Sequence, residues 1–338
     1  MVRKKNKIPT LYDVANLAGV SPSTVSRFLN RTTHVSEDKS HKIEQAITTL
    51  GYKPNFQMQQ TKSRRSMTIG VLVQHPDSPY TSTILNDMER VLMAQGYSLV
   101  LTTGHWQNKL EMNALEYLMK CSVDGLIVVT GNLSEQLIRQ TAESIPVVAV
   151  GYSIEGENIR SLSLDNCMGG YMATLHLLQF GHMNIAHIKG LDFHPDSKAR
   201  VKGYKKALAE SNIKPNPKLI LQGDFSAETG YKKTIELIDS KTHFSAIFAA
   251  NDQTAYGAIK ALTDRGIRVP EDVSVIGFDD LPVSRYFTPA LTTLRQPIEE
   301  MGTLCAKSML NLLSGERLEA RLPPIDLIVR QSTKSLYR

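Results

Sequence analysis

The sequence predicts an α/β protein in which a small three-helix head precedes two doubly wound parallel-sheet halves. Three observations carry this. Apolar residues recur at helical spacing through the first fifty positions, strands alternate with helices from Met67 onward, and that alternation starts afresh after Asp165. With 338 residues the chain has room for two or three domains and a large core. Its 41% hydrophobic and 21% charged residues are ordinary for a globular protein and exclude a disordered or fibrous one.

The first helix starts at Thr10, an N-cap with Asp13 three residues on. It carries Leu11, Val14, Ala15 and Ala18, and Gly19 ends it. Ser21 caps a second helix with Pro22 at its first position, where the missing N–H costs nothing, and Thr24 to Phe28 continue it. A third starts near Ser36, with Glu37 and Asp38 in its first turn, and runs through Ile43, Ala46, Ile47 and Leu50 to Gly51. Val14, Ala18, Val20, Val25, Leu29, Ile43, Ile47 and Leu50 can share one small core. The first two helices, joined by a glycine-containing turn, form a helix-turn-helix unit.

Charge points the same way. Residues 1 to 65 hold 12 Lys and Arg against 4 Asp and Glu, whereas residues 66 to 338 hold 27 against 29. A basic head on a neutral body suits a polyanion, and a helix-turn-helix suits double-stranded DNA. In such units the second helix enters the major groove, which makes Pro22, Ser23 and Arg27 the candidates for base edges. Arg27 can donate two bonds to guanine, and Pro22 can offer only apolar contact. Tyr12, Ser21, Thr24, Ser26, Asn30 and His34 carry the donors that phosphate contacts need. The competing reading of each, a polar group on a surface helix, weakens as cap, turn, core spacing and charge coincide.

The strings Thr10-Leu11-Tyr12-Asp13-Val14-Ala15, Ala18-Gly19-Val20-Ser21-Pro22-Ser23-Thr24-Val25-Ser26-Arg27, Val35-Ser36 and Leu50-Gly51-Tyr52-Lys53-Pro54-Asn55 closely resemble the head of the lactose/galactose repressor (LacI/GalR) family. The resemblance implies a dimeric bacterial transcription regulator with one head on each half of a pseudo-palindromic operator. The head then spans 1–54 and a polar, basic linker 55–66. The family forms a hinge helix on operator at this linker and wedges a leucine pair into the minor groove. Aligned from Asn55, the leucine position falls on Thr61 and the small positions on Met58 and Lys62. Either Met58 supplies the wedge or the hinge binds without strong intercalation, and a plain flexible tether is the third reading.

In residues 67–338 the expected order is strand 68–73, helix 84–94, strand 97–101, helix 110–119, and strands 125–129 and 146–150. The restart brings helix 170–180, strand 185–189, helix 200–211, strand 219–221, helix 230–237, strand 246–249, helix 254–264 and strand 273–278. Two facing α/β halves bind ligands in the crevice at the carboxyl ends of their strands.

The strings Gln179-Phe180-Gly181-His182, Arg200-Val201-Lys202-Gly203-Tyr204, Ala250-Asn251-Asp252, Ile276-Gly277-Phe278-Asp279-Asp280 and Leu291-Thr292-Thr293-Leu294-Arg295-Gln296-Pro297 resemble the effector domain of the same family, itself similar to periplasmic sugar-binding proteins. The resemblance implies two periplasmic-binding-protein-type subdomains, roughly 67–163 with 297–325 and 164–292 with 326–338. It assigns effector contacts to Arg200, Asn251, Asp279 and Gln296, with Phe225 and Tyr80 as aromatic contacts. These residue types suit a sugar, because carboxylate, guanidinium and amide groups match hydroxyls and an aromatic face covers the C–H side of a ring. Asp279 also reads as a turn residue, and Asn251 and Asp252 as a helix cap. Asp196, one turn before Arg200, is positioned to pair with its guanidinium or to hold a second hydroxyl. Gly151-Tyr152 stands where the family often has a charged or amide residue, which is expected to change the hydroxyls recognised.

No GxGxxG follows a strand, no GxxxxGK[ST] or HExxH occurs, and Cys121, Cys167 and Cys305 stand far apart. An enzyme is therefore not expected, nor any cofactor or metal, and the cysteines read as buried thiols in a reducing compartment. The basic N-terminus lacks an apolar stretch behind it, so a cytoplasmic protein is expected, with no membrane partner. The family's dimer contacts make Ile84, Met88, Val91 and Leu92 interface candidates, with core as the equal alternative. No leucine heptad trails at the C-terminus, so a homodimer is expected. The function expected is a repressor of carbohydrate-utilisation genes released from its operator by a sugar inducer. The alternatives are a regulator with a purine or other small metabolite as co-repressor, and a sugar-binding protein with no DNA role.

Overall fold

The computed structural model describes residues 9–30, 35–52, 65–316 and 321–337, with Asn30 by its backbone alone. They fall into two compact units, one within Met1–Arg65 and one within Ser66–Arg338.

The first unit is three helices: α1 (Leu11–Ala18), α2 (Pro22–Asn30) and α3 (Glu37–Leu50). The capping box is present, since the Thr10 N–H donates to Asp13 Oδ2 (2.7 Å) and the Asp13 N–H donates back to Thr10 Oγ1. Gly19 and Gly51 close α1 and α3 in the left-handed conformation, at φ 63° and 60°. Val14, Ala15, Ala18, Val25, Ile43 and Ala46 are buried together, and Val20, Leu29, Ile47 and Leu50 pack half-buried around them.

The second unit holds two sheets. The first has the order β2 (Ser98–Thr103), β1 (Thr68–Val73), β3 (Gly125–Val129), β4 (Val147–Val150), β5 (Ile159–Leu162), all parallel. The second has the order β11 (Asp326–Ile328), β10 (Thr292–Arg295), β9 (Ser274–Asp279), β8 (Ala246–Ala249), β6 (Ile185–Lys189), β7 (Ile220–Gln222), with only β11 antiparallel. Near-continuous apolar strands such as Val71-Leu72-Val73 and Ala246-Ile247-Phe248-Ala249 are what a sheet covered on both faces requires. The chain passes between the sheets after β5, after β10 and again before β11.

Each sheet is covered by helices: α4 (Pro79–Met93), α5 (Asn108–Lys120), α6 (Glu135–Ala142) and α11 (Ile298–Ser314) on the first, and α7 (Asn166–Gln179), α8 (Pro195–Glu210), α9 (Ala227–Asp239) and α10 (Asp252–Asp264) on the second. Two helix pairs meet backbone to backbone through glycines. A Cβ on Gly203 of α8 would lie 2.0 Å from the Cys167 carbonyl of α7, and one on Gly257 of α10 would lie 1.9 Å from the Ala227 carbonyl of α9. Gly170 and Gly230 make the reciprocal approaches.

Several expectations are corrected. Helices α4, α7 and α8 begin at Pro79, Asn166 and Pro195, one turn or more before the expected 84, 170 and 200, and α10 begins at Asp252, two residues before the expected 254. The first turns of α4, α8 and α10 carry polar residues that interrupt the apolar period. α6, β5, β10 and α11 were not expected as elements. Ile84, Met88 and Leu92 are wholly buried in the core beneath α11, whose Gly302 lets it approach the Ile84 carbonyl. The core reading therefore holds for them, and of the four candidates only Val91 is half-exposed. Of the three free cysteines, only Cys305 is fully buried.

Candidate functional site

On α2, Ser21 caps the helix through its hydroxyl, which accepts from the Thr24 N–H at 3.2 Å. Val25 points into the core with no exposed surface, which turns Ser23 and Arg27, one helical turn apart, outward into solvent. Pro22, Thr24 and Ser26 are half-buried, Ser21 is exposed, and Tyr12 of α1 is 69% exposed. Thr24 and Ser21 share a hydroxyl contact at 2.8 Å. His34, Asn55, Met58 and Thr61 lie outside the described residues, as does the side chain of Asn30.

The second candidate site is a cleft of about 580 Å³ between the two sheets of the larger unit. Tyr80, Asp196, Arg200, Phe225, Asn251, Asp279 and Gln296 all line it, although they come from six separate segments. All but Arg200, which sits in the second turn of α8, stand close to a strand's carboxyl end or a helix's first turn, the crevice position of open α/β sheets.

Arg200 is held rigidly. Its Nε donates to Asn166 Oδ1 (2.9 Å), its Nη1 donates to the Ala250 carbonyl (2.6 Å), and its guanidinium lies 3.6 Å from the centroid of the Phe278 ring. The pairing with Asp196 is not formed, because those two partners already fix the guanidinium. Asp196 lines the cleft with its carboxylate outside that network.

Asn251 is the N-cap of α10, and its Oδ1 accepts from the Thr254 N–H and hydroxyl at 2.9 and 2.7 Å. The cap reading is thus correct for the oxygen, and Asn251 also lines the cleft. Asp252 faces away from the cleft. It is fully buried and accepts from the Leu281 N–H (2.8 Å) and the hydroxyls of Ser284 and Thr293.

Asp279 ends β9 at φ 117° and Asp280 follows at φ 58°, two successive non-glycine residues in strained backbone. Gln296 Nε2 donates to Asp279 Oδ1 at 2.6 Å. Burial pushes the carboxyls of both Asp279 and Asp252 above the usual range; Arg200 and Gln296 oppose this at Asp279. Phe225, at φ 71°, packs its ring over Gly190, where any Cβ would clash at 2.1 Å. Tyr80 donates its hydroxyl to Met301 Sδ at 3.4 Å, and burial raises its pKa.

The sequence did not single out Trp106, Phe193 and His194, which line the same cleft. The Trp106 ring stands 4.7 Å from His194 and 6.2 Å from Phe193, and His194 stands 5.2 Å from Phe225. The signal that would have found Trp106 is the chain's sole tryptophan placed just after an edge strand. Gly151 and Tyr152 do not line the cleft. The Tyr152 hydroxyl is buried near Glu111 instead, and Gln74 and Thr130 supply the polar groups on that wall. The expected effect of Gly151-Tyr152 on hydroxyl recognition therefore has no contact to act through.

A family model for bacterial regulatory proteins of the lacI family matches residues 10–55, and one for the periplasmic binding protein-like domain matches 174–333. The HTH-type transcriptional repressor PurR of Histophilus somni is 33% identical over 97% of this chain and 99% of its own. The chain belongs to the LacI family. Among solved structures, transcriptional regulator CelR in complex with cellobiose is 33% identical, with a TM-score of 0.71 over 96% of this chain and 99% of its own. The lac repressor dimer bound to operator and the anti-inducer ONPF is 31% identical, with a TM-score of 0.78 over 97% and 100%. This LacI-family protein is a DNA-binding transcriptional repressor with a small-molecule effector, not an enzyme. Among the described residues no group of His, Cys, Asp and Glu is arranged to hold a metal, and no helix is long and apolar enough to cross a membrane.

Proposed function

We propose that this LacI-family protein is a cytoplasmic homodimer that represses carbohydrate-utilisation genes and leaves its operator when a sugar enters the cleft. One observation carries the reading: a buried guanidinium, an amide donor, carboxylates and aromatic faces converge in one crevice, the set that a polyol ring needs. The cellobiose complex of CelR supports the sugar, and the operator-bound lac repressor dimer supports the pairing of two heads on DNA. Arg27 and Ser23 are the proposed base-reading residues, and Tyr12, Ser21, Thr24 and Ser26 the phosphate contacts. Tyr80, Asp196, Arg200, Phe225, Asn251, Asp279 and Gln296 are the proposed effector contacts. Ligand acts by its differential affinity for the operator-bound and free states.

The test is thermal unfolding against mono- and disaccharides, sugar phosphates and purine bases, followed by operator binding with each compound that raises Tm. A ligand at about 100 times its Kd adds roughly 2.7 kcal/mol to the native state. A sugar that raises Tm and weakens operator binding fits the proposal. A sugar that tightens operator binding reverses its sign.

A second reading, a purine base acting as co-repressor, draws on the PurR repressors among the relatives and on the flat walls that Trp106 and Phe225 offer a planar ring. It requires a purine to raise Tm and tighten operator binding.

A further inference from the structure

The cleft has a second aromatic face whose backbone is fixed as firmly as Arg200. The Trp106 N–H donates to Gln74 Oε1 at 2.6 Å, and its carbonyl accepts from Asn132 Nδ2 at 3.3 Å. Gln74 is buried and donates to the Thr130 carbonyl, while the Asn132 N–H donates to buried Glu111 at 2.7 Å. This frame belongs wholly to the first sheet with its loops and helix α5, and Gln74 and Thr130 line the cleft beside the indole. It presents the half-exposed indole toward His194 and Phe193 of the second.

His194 meets both aromatic rings, in T-shaped contact with Trp106 at 4.7 Å and with Phe225 at 5.2 Å. Its Nδ1 accepts the Asp196 N–H at 3.1 Å, and burial lowers its pKa to about 4. An imidazole that accepts at Nδ1 and is neutral carries its proton on Nε2. His194 therefore offers an uncharged donor beside both rings.

The charge of the lining is lopsided. Asp77, Asp196, Asp224 and Asp279 line the cleft against one guanidinium, Arg200, whose Nε and Nη1 are already engaged. A phosphate or carboxylate brings only acceptors and negative charge to a wall rich in both, whereas hydroxyls can donate to these oxygens.

We propose that the effector is an uncharged saccharide of at least two rings, one seated among Arg200, Asp279 and Phe225, and the second stacked on Trp106 beside His194. A single ring would cover one aromatic face and leave the other in water. The proposal rests on the sugar reading above and narrows it to a class.

The experiment titrates the full-length protein with glucose, galactose, cellobiose, maltose, lactose, sucrose, glucose 6-phosphate and hypoxanthine. It follows Tm and the emission of Trp106, which is the only tryptophan. The expected result is a Tm rise and an emission shift with at least one disaccharide, and no binding of glucose 6-phosphate. Trp106→Ala then weakens that disaccharide about tenfold, from the lost ring stacking, and Trp106→Phe restores most of it. Monosaccharide affinity in Trp106→Ala changes much less.

If glucose 6-phosphate binds more tightly than glucose, or Trp106→Ala binds the disaccharide as the parent does, the two-ring proposal is overturned and the sugar reading survives. A Tm rise with hypoxanthine alone overturns both, and so does the absence of any shift with every probe.

Discussion

Asp279 and Gln296 clasp each other at the point where the chain leaves the second sheet for the first. Asp279 ends β9, Gln296 follows β10 in parallel register with it, and the amide donates to the carboxylate at 2.6 Å. The next residues outward repeat the contact with charge, since Arg295 Nε donates to Asp280 at 2.7 Å and Arg330 closes on the same carboxylate at 2.6 Å. A ligand that hydrogen-bonds Asp279 thus engages the strand that connects the sheets.

Asp279→Ala is expected to abolish the effector-induced rise in Tm while the protein still binds operator. A normal ligand response in that variant would remove Asp279 from the site. Gln296→Ala, which frees the carboxylate of its partner, should weaken the response less than loss of the carboxylate itself.

Arg27→Ala should cost roughly 1–3 kcal/mol of discrimination between operator and non-operator DNA and leave a salt-sensitive residual affinity. Competition binding at two salt concentrations measures this. Equal loss on every sequence would place Arg27 on phosphate.

Gly203→Ala should lower Tm severely, because its methyl would enter the Cys167 carbonyl at 2.0 Å and force α7 and α8 apart. Gly266→Ala is the control for backbone strain alone, since a Cβ there meets nothing within 4 Å although φ is 71°. Comparable losses of Tm in the two variants would mean that helix contact is not what Gly203 protects.

Burial lowers the pKa of His187 to about 4, and the ring stacks on Phe248 at 4.4 Å. Unfolding lets it take up a proton, so its contribution to stability is whole above about pH 6.5 and is lost as pH falls toward 4. The buried pair Asp252 and Asp279 titrates in the opposite sense, each carboxyl raised and losing stability as pH rises. The measurement is therefore the difference between parent and His187→Phe in Tm from pH 7.5 to 4.5. The variant should lose less Tm on acidification, and parallel curves would contradict the assignment.

The head was legible because its signals are local. Thr10, Gly19, Ser21 and Gly51 mark helix ends within a few residues of the core positions they frame. The cleft residues were legible through short strings around Arg200, Asn251 and Asp279. What the sequence hid depends on distance. Helix α11 covers Ile84 and Met88 from the far end of the chain, so an apolar stripe that the sequence left open between interface and core is core. The starts of α4, α8 and α10 were placed late because Tyr80, Asp196 and Asp252 serve the cleft or its support rather than the apolar period. Trp106 and His194 belong to loops on different sheets, and no spacing in sequence announces that their rings meet at 4.7 Å.

The glycine-welded helix pairs bear on how readily this protein can change its chemical taste. With α7 fixed to α8 and α9 to α10 by main-chain contact, the frame beneath the cleft owes little to the side chains that face it. Position 196, in the first turn of α8, can then be exchanged over generations without rebuilding its support, and at 194 and 251 another capping side chain can replace the one present. New ligand preferences should arise there by single substitutions, while Gly170, Gly203, Gly230 and Gly257 tolerate none.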